Sequence, residues 1–420
     1  MLLKFHGTFY PPSLKMEIKK DETTELVDIS LLNLNENTEI PLYCNDIASK
    51  YPIIQTQHEP KLRAIVKEIR DAQLIRYSGF ELHRALKPHI MPIIDSCFNK
   101  MGEVFITTSY DRTAKVFDSE SGKSIFTLSG HTNAIFACSM NLPVGNIVAT
   151  ASLDHTSRIW SLENASCLHI LTGHTKEVVA ISFDPKSKYI ATGSIDNTAI
   201  LFDVETGTNI FSMEDHTAEV GSVCFHPSSS LLLTASSDST MRLWDIRTGE
   251  CASTFRGHKG ELTSALFNNT GDLIYSSSLD HTSRVWDIKQ SLSLLTLKGH
   301  DGPVNSIRLS KDNSHAVTSS SDKSSIVWNT SGEMKHKLIG HTDEVRSAEF
   351  SPQGKTILTS GDDSNIQIWD LETGNKLETL IGHSDSVIST QYNYSGDKIL
   401  SISKDNTARI WKASNKHSIN

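Results

Sequence analysis

A histidine, usually preceded by glycine, returns at His89, His131, His174, His216, His258, His300, His341 and His383, at intervals of 41 to 43 residues. Each is followed 28 residues later, or 29 in one case, by an aromatic: Phe117, Trp160, Phe202, Trp244, Trp286, Trp328, Trp369 and Trp411. Six residues before every one of those aromatics stands an aspartate: Asp111, Asp154, Asp196, Asp238, Asp280, Asp322, Asp363 and Asp405. Two residues before the aspartate is a serine in seven copies, and Gly361 in the other. A register kept through eight copies restricts the chain to an array of one supersecondary unit, stacked or closed into a ring.

The unit reads as strands. Leu231-Leu232-Leu233-Thr234-Ala235-Ser236, a polar turn and Met241-Arg242-Leu243-Trp244 form two short strands about a tight turn. Thr248-Gly249-Glu250 turns into a further strand that ends at Gly257-His258. Four strands per copy make a propeller blade, in which small sheets close a ring and protect their edges. Eight copies fill residues 79–411, so the count predicts eight blades. The chain runs only a few residues past Trp411, which leaves the eighth sheet short of its outer strand. Residues 79–86 match the segment after Thr248 with one residue inserted, and are expected to supply that strand.

Residues 1–78 do not repeat. Phe9-Tyr10-Pro11-Pro12 separates two extended stretches, 2–5 and 14–19, and residues 40–50 and 61–73 read as helices. In the second helix Leu62, Ile65, Val66 and Ile69 share one face. With 10 basic and 11 acidic side chains this is a small α+β domain, residues 1–78, before a ring of residues 79–420. The expected fold is all-β: an eight-bladed propeller with a small N-terminal α+β domain.

Composition narrows the function. The net charge of −9, without a basic-aromatic run, argues against nucleic acid as partner. No run reaches the ~18 apolar residues that would cross a membrane, and residues 1–7 turn polar too early for a signal peptide. Cys44, Cys97, Cys138, Cys167, Cys224 and Cys251 contain no C-x-x-C pair, as expected of reduced thiols in the cytosol. Eight of the 18 histidines are the repeat histidine, and the turn aspartates are spread one per blade. Ser121-Gly122-Lys123-Ser124 lacks the glycine five residues before Gly122 that a phosphate loop needs, that position being Phe117. No catalytic residue, cofactor site or metal site is expected.

The repeat, from 79 to 411, resembles the WD-repeat family. The family implies a hydrogen-bonded chain in each blade through histidine, serine, aspartate and tryptophan. Complete sets are His131/Ser152/Asp154/Trp160, His216/Ser236/Asp238/Trp244, His258/Ser278/Asp280/Trp286, His300/Ser320/Asp322/Trp328 and His383/Ser403/Asp405/Trp411. Phe117 and Phe202 lack the indole donor and Gly361 the hydroxyl, so three blades should each lose bonds worth about 1 kcal/mol. The Phe-Tyr-Pro-Pro motif, the two amphipathic helices and Leu86-Lys87-Pro88-His89-Ile90-Met91-Pro92-Ile93 further resemble the dynein assembly factors with WD repeat domains. That resemblance implies a monomeric adaptor linking preassembled outer-arm dynein to an intraflagellar transport train, through a subunit of its B subcomplex. It would act in the cytoplasm, at the ciliary base and along the axoneme.

Partner-binding candidates follow from where the copies differ. Tyr110, Leu153, Ile195 and Leu279 precede turn aspartates, where polar residues are cheaper to expose, and Phe136 and Val179 enter neighbouring strands. With the family geometry, Tyr110, Phe136, Leu153, Val179 and Ile195 share one face over blades one to three. Glu177, Glu219, Glu261 and Glu344 occupy one equivalent position and form an acidic fringe suited to a basic segment. A rival reading rests on Trp244-Asp245-Ile246-Arg247, which matches the motif of WD-repeat substrate receptors that dock on cullin-4 ubiquitin ligases; a general WD-repeat scaffold is the other alternative.

Overall fold

The structure, a computed structural model, describes residues 2–9, 12–20, 23–31, 38–54, 58–73, 76–77, 79–142, 144–414 and 416–417. They fall into two compact units: residues 1–80 with 394–397 and 413–420, and a second of residues 81–393 with 398–412.

The first unit contains a three-stranded antiparallel sheet, β1 (Leu2–Phe9), β2 (Pro12–Lys20) and β3 (Thr23–Ser30), and two helices, α1 (Ile40–Lys50) and α2 (Glu59–Gln73). The first two strands pair from Phe9 opposite Pro12; Tyr10 and Pro11 of the expected punctuation lie outside the described residues. Both strands are longer than the sequence suggested, and β3 was not expected at all. Its Asp28 faces Lys15 and its Glu25 faces Ile18 across the pairing. The predicted stripe of α2 is buried: Leu62, Val66 and Ile69 join Phe5, Leu14, Met16, Leu31, Cys44 and Ile47 in one core, with Ile65 at its margin.

The second unit is an eight-bladed propeller. Blade one comprises strands Ile93–Phe98, Val104–Ser109, Thr113–Asp118 and Ser124–Ser129, each hydrogen-bonded to the next. Six further sheets of the same order begin at Ile135, Val178, Val220, Leu262, Val304 and Val345. Blade eight consists of Val387–Tyr392, Lys398–Ser403, Ala408–Ala413 and, as its outer strand, Phe80–Leu86. Each inner strand packs on the inner strand of the next blade, and Val387–Tyr392 on Ile93–Phe98, so the circle is complete. A bulge recurs in every inner strand, as between Val220 and Ser222, and adds the twist a blade needs.

An inner strand has no fifth strand to pair its free edge, so buried backbone groups there need other partners. Side chains of the preceding blade supply several. Asn305 donates to Val345 O at 2.8 Å, Thr263 to Val304 O at 2.8 Å and Gln391 to Ser96 O at 2.9 Å. The seam between blades eight and one carries extra polar contacts. Lys398 and Lys412 clamp Glu120 at 2.9 and 2.6 Å, Lys398 also donates to Ser119 Oγ at 2.9 Å, and His83 meets Glu120 O at 2.9 Å. The two lysine hydrogen bonds hold the Glu120 carboxyl down at about 2.

Candidate interaction surface on the ring

Beneath one end of the ring every blade repeats a buried hydrogen-bonded chain, and its hydroxyl is not the serine expected from the sequence. In blade two the Trp160 indole donates to Thr150 Oγ1 at 2.9 Å, Thr150 meets His131 Nε2 at 2.9 Å, and His131 Nδ1 meets Asp154 at 2.8 Å. A carboxylate only accepts, so Nδ1 carries the proton and Nε2 accepts from the threonine hydroxyl. Ser152 instead donates to Ala134 O at 2.8 Å and accepts the Asp154 N–H at 3.1 Å. Ser236, Ser278, Ser320 and Ser403 likewise accept the N–H of Asp238, Asp280, Asp322 and Asp405. The bridging hydroxyls are Thr107, Thr150, Thr192, Thr234, Ser276, Thr318, Thr359 and Ser401, two residues before each serine position. That invariance was present in the sequence. Two residues along a strand return to the same face, so periodicity could not choose between the two hydroxyls.

The correction changes which blades are incomplete. Blade seven keeps its chain despite Gly361, because Thr359 bridges Trp369 and His341 at 2.9 Å each. It loses the hydroxyl bonds of the turn instead: Asn365 stands in place of the hydroxyl residue and keeps only its N–H bond to Asp363 at 3.1 Å, and His341 lies 3.0 Å from both oxygens of Asp363. Blades one and three lack the indole donor, as expected; Phe117 there stacks on Phe105 with ring centroids 5.2 Å apart.

The aspartate also holds the turn. The residue after it has a positive φ of 64–73° in all eight blades, at Arg112, His155, Asn197, Ser239, His281, Lys323, Ser364 and Asn406. Such a conformation is strained for a non-glycine residue and persists where neighbours fix it. Asp238 does so by accepting from Thr240 N, Thr240 Oγ1, Thr217 N and His216. Burial alone would raise its pKa, but those bonds together pull it below the usual range. Asp196, Asp280, Asp322 and Asp405 are brought to about 2 in the same way. Burial lowers His89, His174, His216, His258, His300 and His383. These six imidazoles are therefore neutral at pH 7, and each pair keeps one negative charge.

The nine candidate partner residues all lie at this end of the ring. The turn and the start of the inner strand are tied by backbone bonds, Leu153 N to Ala134 O at 2.9 Å, Ile195 N to Glu177 O at 3.0 Å and Asp362 N to Glu344 O at 2.8 Å. Tyr110 is exposed at 43%, whereas Leu153, Ile195, Phe136 and Val179 are half-buried. Glu219 and Glu261 are exposed and Glu177 is half-buried. Glu344 is engaged within its own surroundings, 3.5 Å from Arg346 and accepting from Ser321 at 3.1 Å; Arg346 also holds Asp362 through Nε at 2.9 Å. Elsewhere, Arg247 is 81% exposed but folds back on Asp245 at 3.0 Å. In the Ser121-Gly122-Lys123 turn, Ser121 bonds Asp118 through both its hydroxyl and its N–H.

Eight blades of this sheet order, each carrying the same histidine–aspartate pair, define a class. The WD domain, G-beta repeat profile matches residues 80–118, 122–161, 165–203, 207–245, 249–287, 291–329, 332–370 and 374–412, and the chain belongs to the WD-repeat family. Among curated relatives it is similar to dynein assembly factor with WD repeat domains 1 of Mus musculus, 37% identical over 140 residues, 33% of this chain and 34% of that one. The Danio rerio protein of the same name is 37% identical over 146 residues, 34% of this chain and 35% of that one. The matched stretch thus spans about a third of the length of these relatives. Among solved structures, the computationally designed Ika8 protein aligns with a TM-score of 0.72 at 25% identity, covering 79% of this chain and 99% of that one.

Proposed function

We propose that this protein is a non-catalytic adaptor that links preassembled outer-arm dynein to intraflagellar transport trains for import into cilia. The observation that carries this is the similarity to WD-repeat dynein assembly factors, at 35–37% identity in six relatives of that name. The chemistry of the ring agrees with an adaptor: each repeat histidine is committed to an aspartate and a hydroxyl, while Tyr110, Glu219 and Glu261 stand exposed on the rim. In this reading the rim takes dynein, the N-terminal unit contributes to train binding, and the protein works as a monomer in the cytoplasm, at the ciliary base and in the axoneme.

The test is capture from ciliated-cell extract followed by mass spectrometry. Outer-arm dynein chains together with transport-train subunits are expected. Recovery of cullin-4 ligase subunits with neither of these would overturn the reading in favour of the receptor, and Arg247→Ala should then abolish that recovery.

A further inference from the structure

The eight blades are an internal control for one another, and blade one breaks the pattern at two consecutive exposed positions. After the repeat histidine the other blades place Thr, Lys, Asp or Ser, then a polar or small residue, for example Thr132-Asn133 in blade two and Ser384-Asp385 in blade eight, all four exposed. Blade one has Ile90-Met91, exposed at 85% and 46%, beside the turn that carries Tyr110 at 43%.

This loop is held rigidly while its side chains stand in water. Ser109 Oγ donates to Met91 O at 3.1 Å and to Pro92 O at 2.9 Å, Tyr110 N donates to Pro92 O at 3.1 Å, and Asn406 of blade eight donates to Ile90 O at 3.2 Å. A fixed backbone that exposes adjacent large apolar side chains offers a contact whose ordering cost is already met, as interface anchors do. The surroundings are acidic. Asp385 on blade eight and Asp343 on blade seven are exposed on one side, Glu177 and Glu219 follow on blades three and four, and the histidine–aspartate pairs lie beneath. Arg112, in the same turn as Tyr110, Lys404 at the equivalent turn of blade eight and Lys176 beside Glu177 are the opposing charges, all three exposed.

We infer that Ile90, Met91 and Tyr110 form the anchor point for a basic segment of a protein partner, which seats a large apolar side chain on blade one and lays Lys or Arg residues over the flanking carboxylates. This rests on the rim being the partner surface and adds the occupant's chemistry and its point of attachment. An anionic membrane fits poorly, because the same carboxylates would repel it.

The test is a substitution that blade two already tolerates: Ile90→Thr with Met91→Asn gives blade one the pair Thr132-Asn133. Its melting temperature should match the parent; if it melts lower, Tyr110→Ser takes its place. A random peptide display library is panned on the full chain with the variant as counter-target. Peptides combining Lys or Arg with a large apolar residue should be enriched, and the best should bind the variant at least about tenfold more weakly by fluorescence anisotropy, a hot-spot-sized loss. Raising the salt to about 1 M should weaken binding to the parent as well. No enrichment, enrichment of acidic or wholly polar peptides, or equal binding to the variant would overturn the inference. So would a concentration-dependent dimer of the parent that the variant loses, since a second copy would then be the occupant. Purified outer-arm dynein offered to both chains separates the two levels: capture by neither sinks the dynein reading while the peptide result stands, and equal capture by both removes the anchor.

Discussion

Asp238 and Glu349 are carboxylates of the same ring, and their surroundings push their proton affinity in opposite directions. Asp238, in the turn of blade four, accepts four hydrogen bonds that together overcome burial and hold it low. Asp95, on the inner strand of blade one, accepts Ser96 N at 2.8 Å and Cys138 N at 2.9 Å, and burial carries it up to about 6. Glu349, on the inner strand of blade seven, accepts Tyr392 N at 3.3 Å, and burial carries it to about 7 although Arg308 pulls the other way. The contrast shows donor supply working against depth: four bonds outweigh burial at Asp238, whereas burial outweighs the fewer bonds at Asp95 and Glu349. The rim turns supply donors by repetition; the inner strands, which place Asp95, Arg308 and Glu349 each in a single blade, do not.

The comparison can be broken most forcefully with pH. Unfolded histidines take up protons near pH 6.5, whereas the six buried ones resist, so below that pH the unfolded chain binds more protons and the fold loses stability. Denaturant midpoints should hold above pH 7 and fall as the pH drops from about 6.5 to 5, by up to about 1.4 kcal/mol per pH unit for each histidine. A flat profile over that window would show the pairs accepting protons freely. Next in size, Asp238→Ala strands four donors and should cost about 1–3 kcal/mol. Asp363→Ala strands His341, Thr342 N and Asn365 N, and should cost less. Midpoints in the reverse order would reject donor count as the controlling quantity.

Within the chain itself, Thr234→Val should cost about 1 kcal/mol more than Thr192→Val. Thr234 receives the Trp244 indole at 2.9 Å, while blade three has Phe202 in that place. Equal costs would mean that the indole bond adds nothing. The smallest effect belongs to the inner strands. Asp95 and Glu349 have folded pKa values above the unfolded range near 4, so the unfolded chain releases their protons first and stability is lost as pH rises from about 4 to 7. Asp95→Asn and Glu349→Gln should therefore raise the midpoint slightly at pH 8 and leave it nearly unchanged at pH 4, and a drop at pH 8 would contradict the assignment.

Much of the fold could be read because its signal repeats. Eight histidine–aromatic pairs in register define eight blades whatever any single copy says, and the 3.6-residue spacing of Leu62, Val66 and Ile69 marked the buried face of α2. Strand β3 escaped because the period of two set by Val27, Asp28 and Ile29 fails just before them, with Glu25 at an apolar position and Leu26 at a polar one, which leaves too short a run to mark a strand. The identity of the bridging hydroxyl escaped because Thr234 and Ser236 lie on one face and only distance separates their roles. The rim was legible as a place but not as a surface. Sequence singled out Leu153 and Ile195, which are half-buried, and passed over Ile90, which stands almost fully exposed.

The outer strand of blade eight has a consequence for how the ring is made. Phe80–Leu86 pairs beside Ala408–Ala413, so the first strand of the ring to leave the ribosome waits for the last. At about 5–20 residues per second that interval is on the order of 20–60 s, during which an open arc of blades carries unpaired strand edges at both ends. The time when this chain most needs protection from its neighbours is thus fixed by its topology, and it ends when blade eight closes.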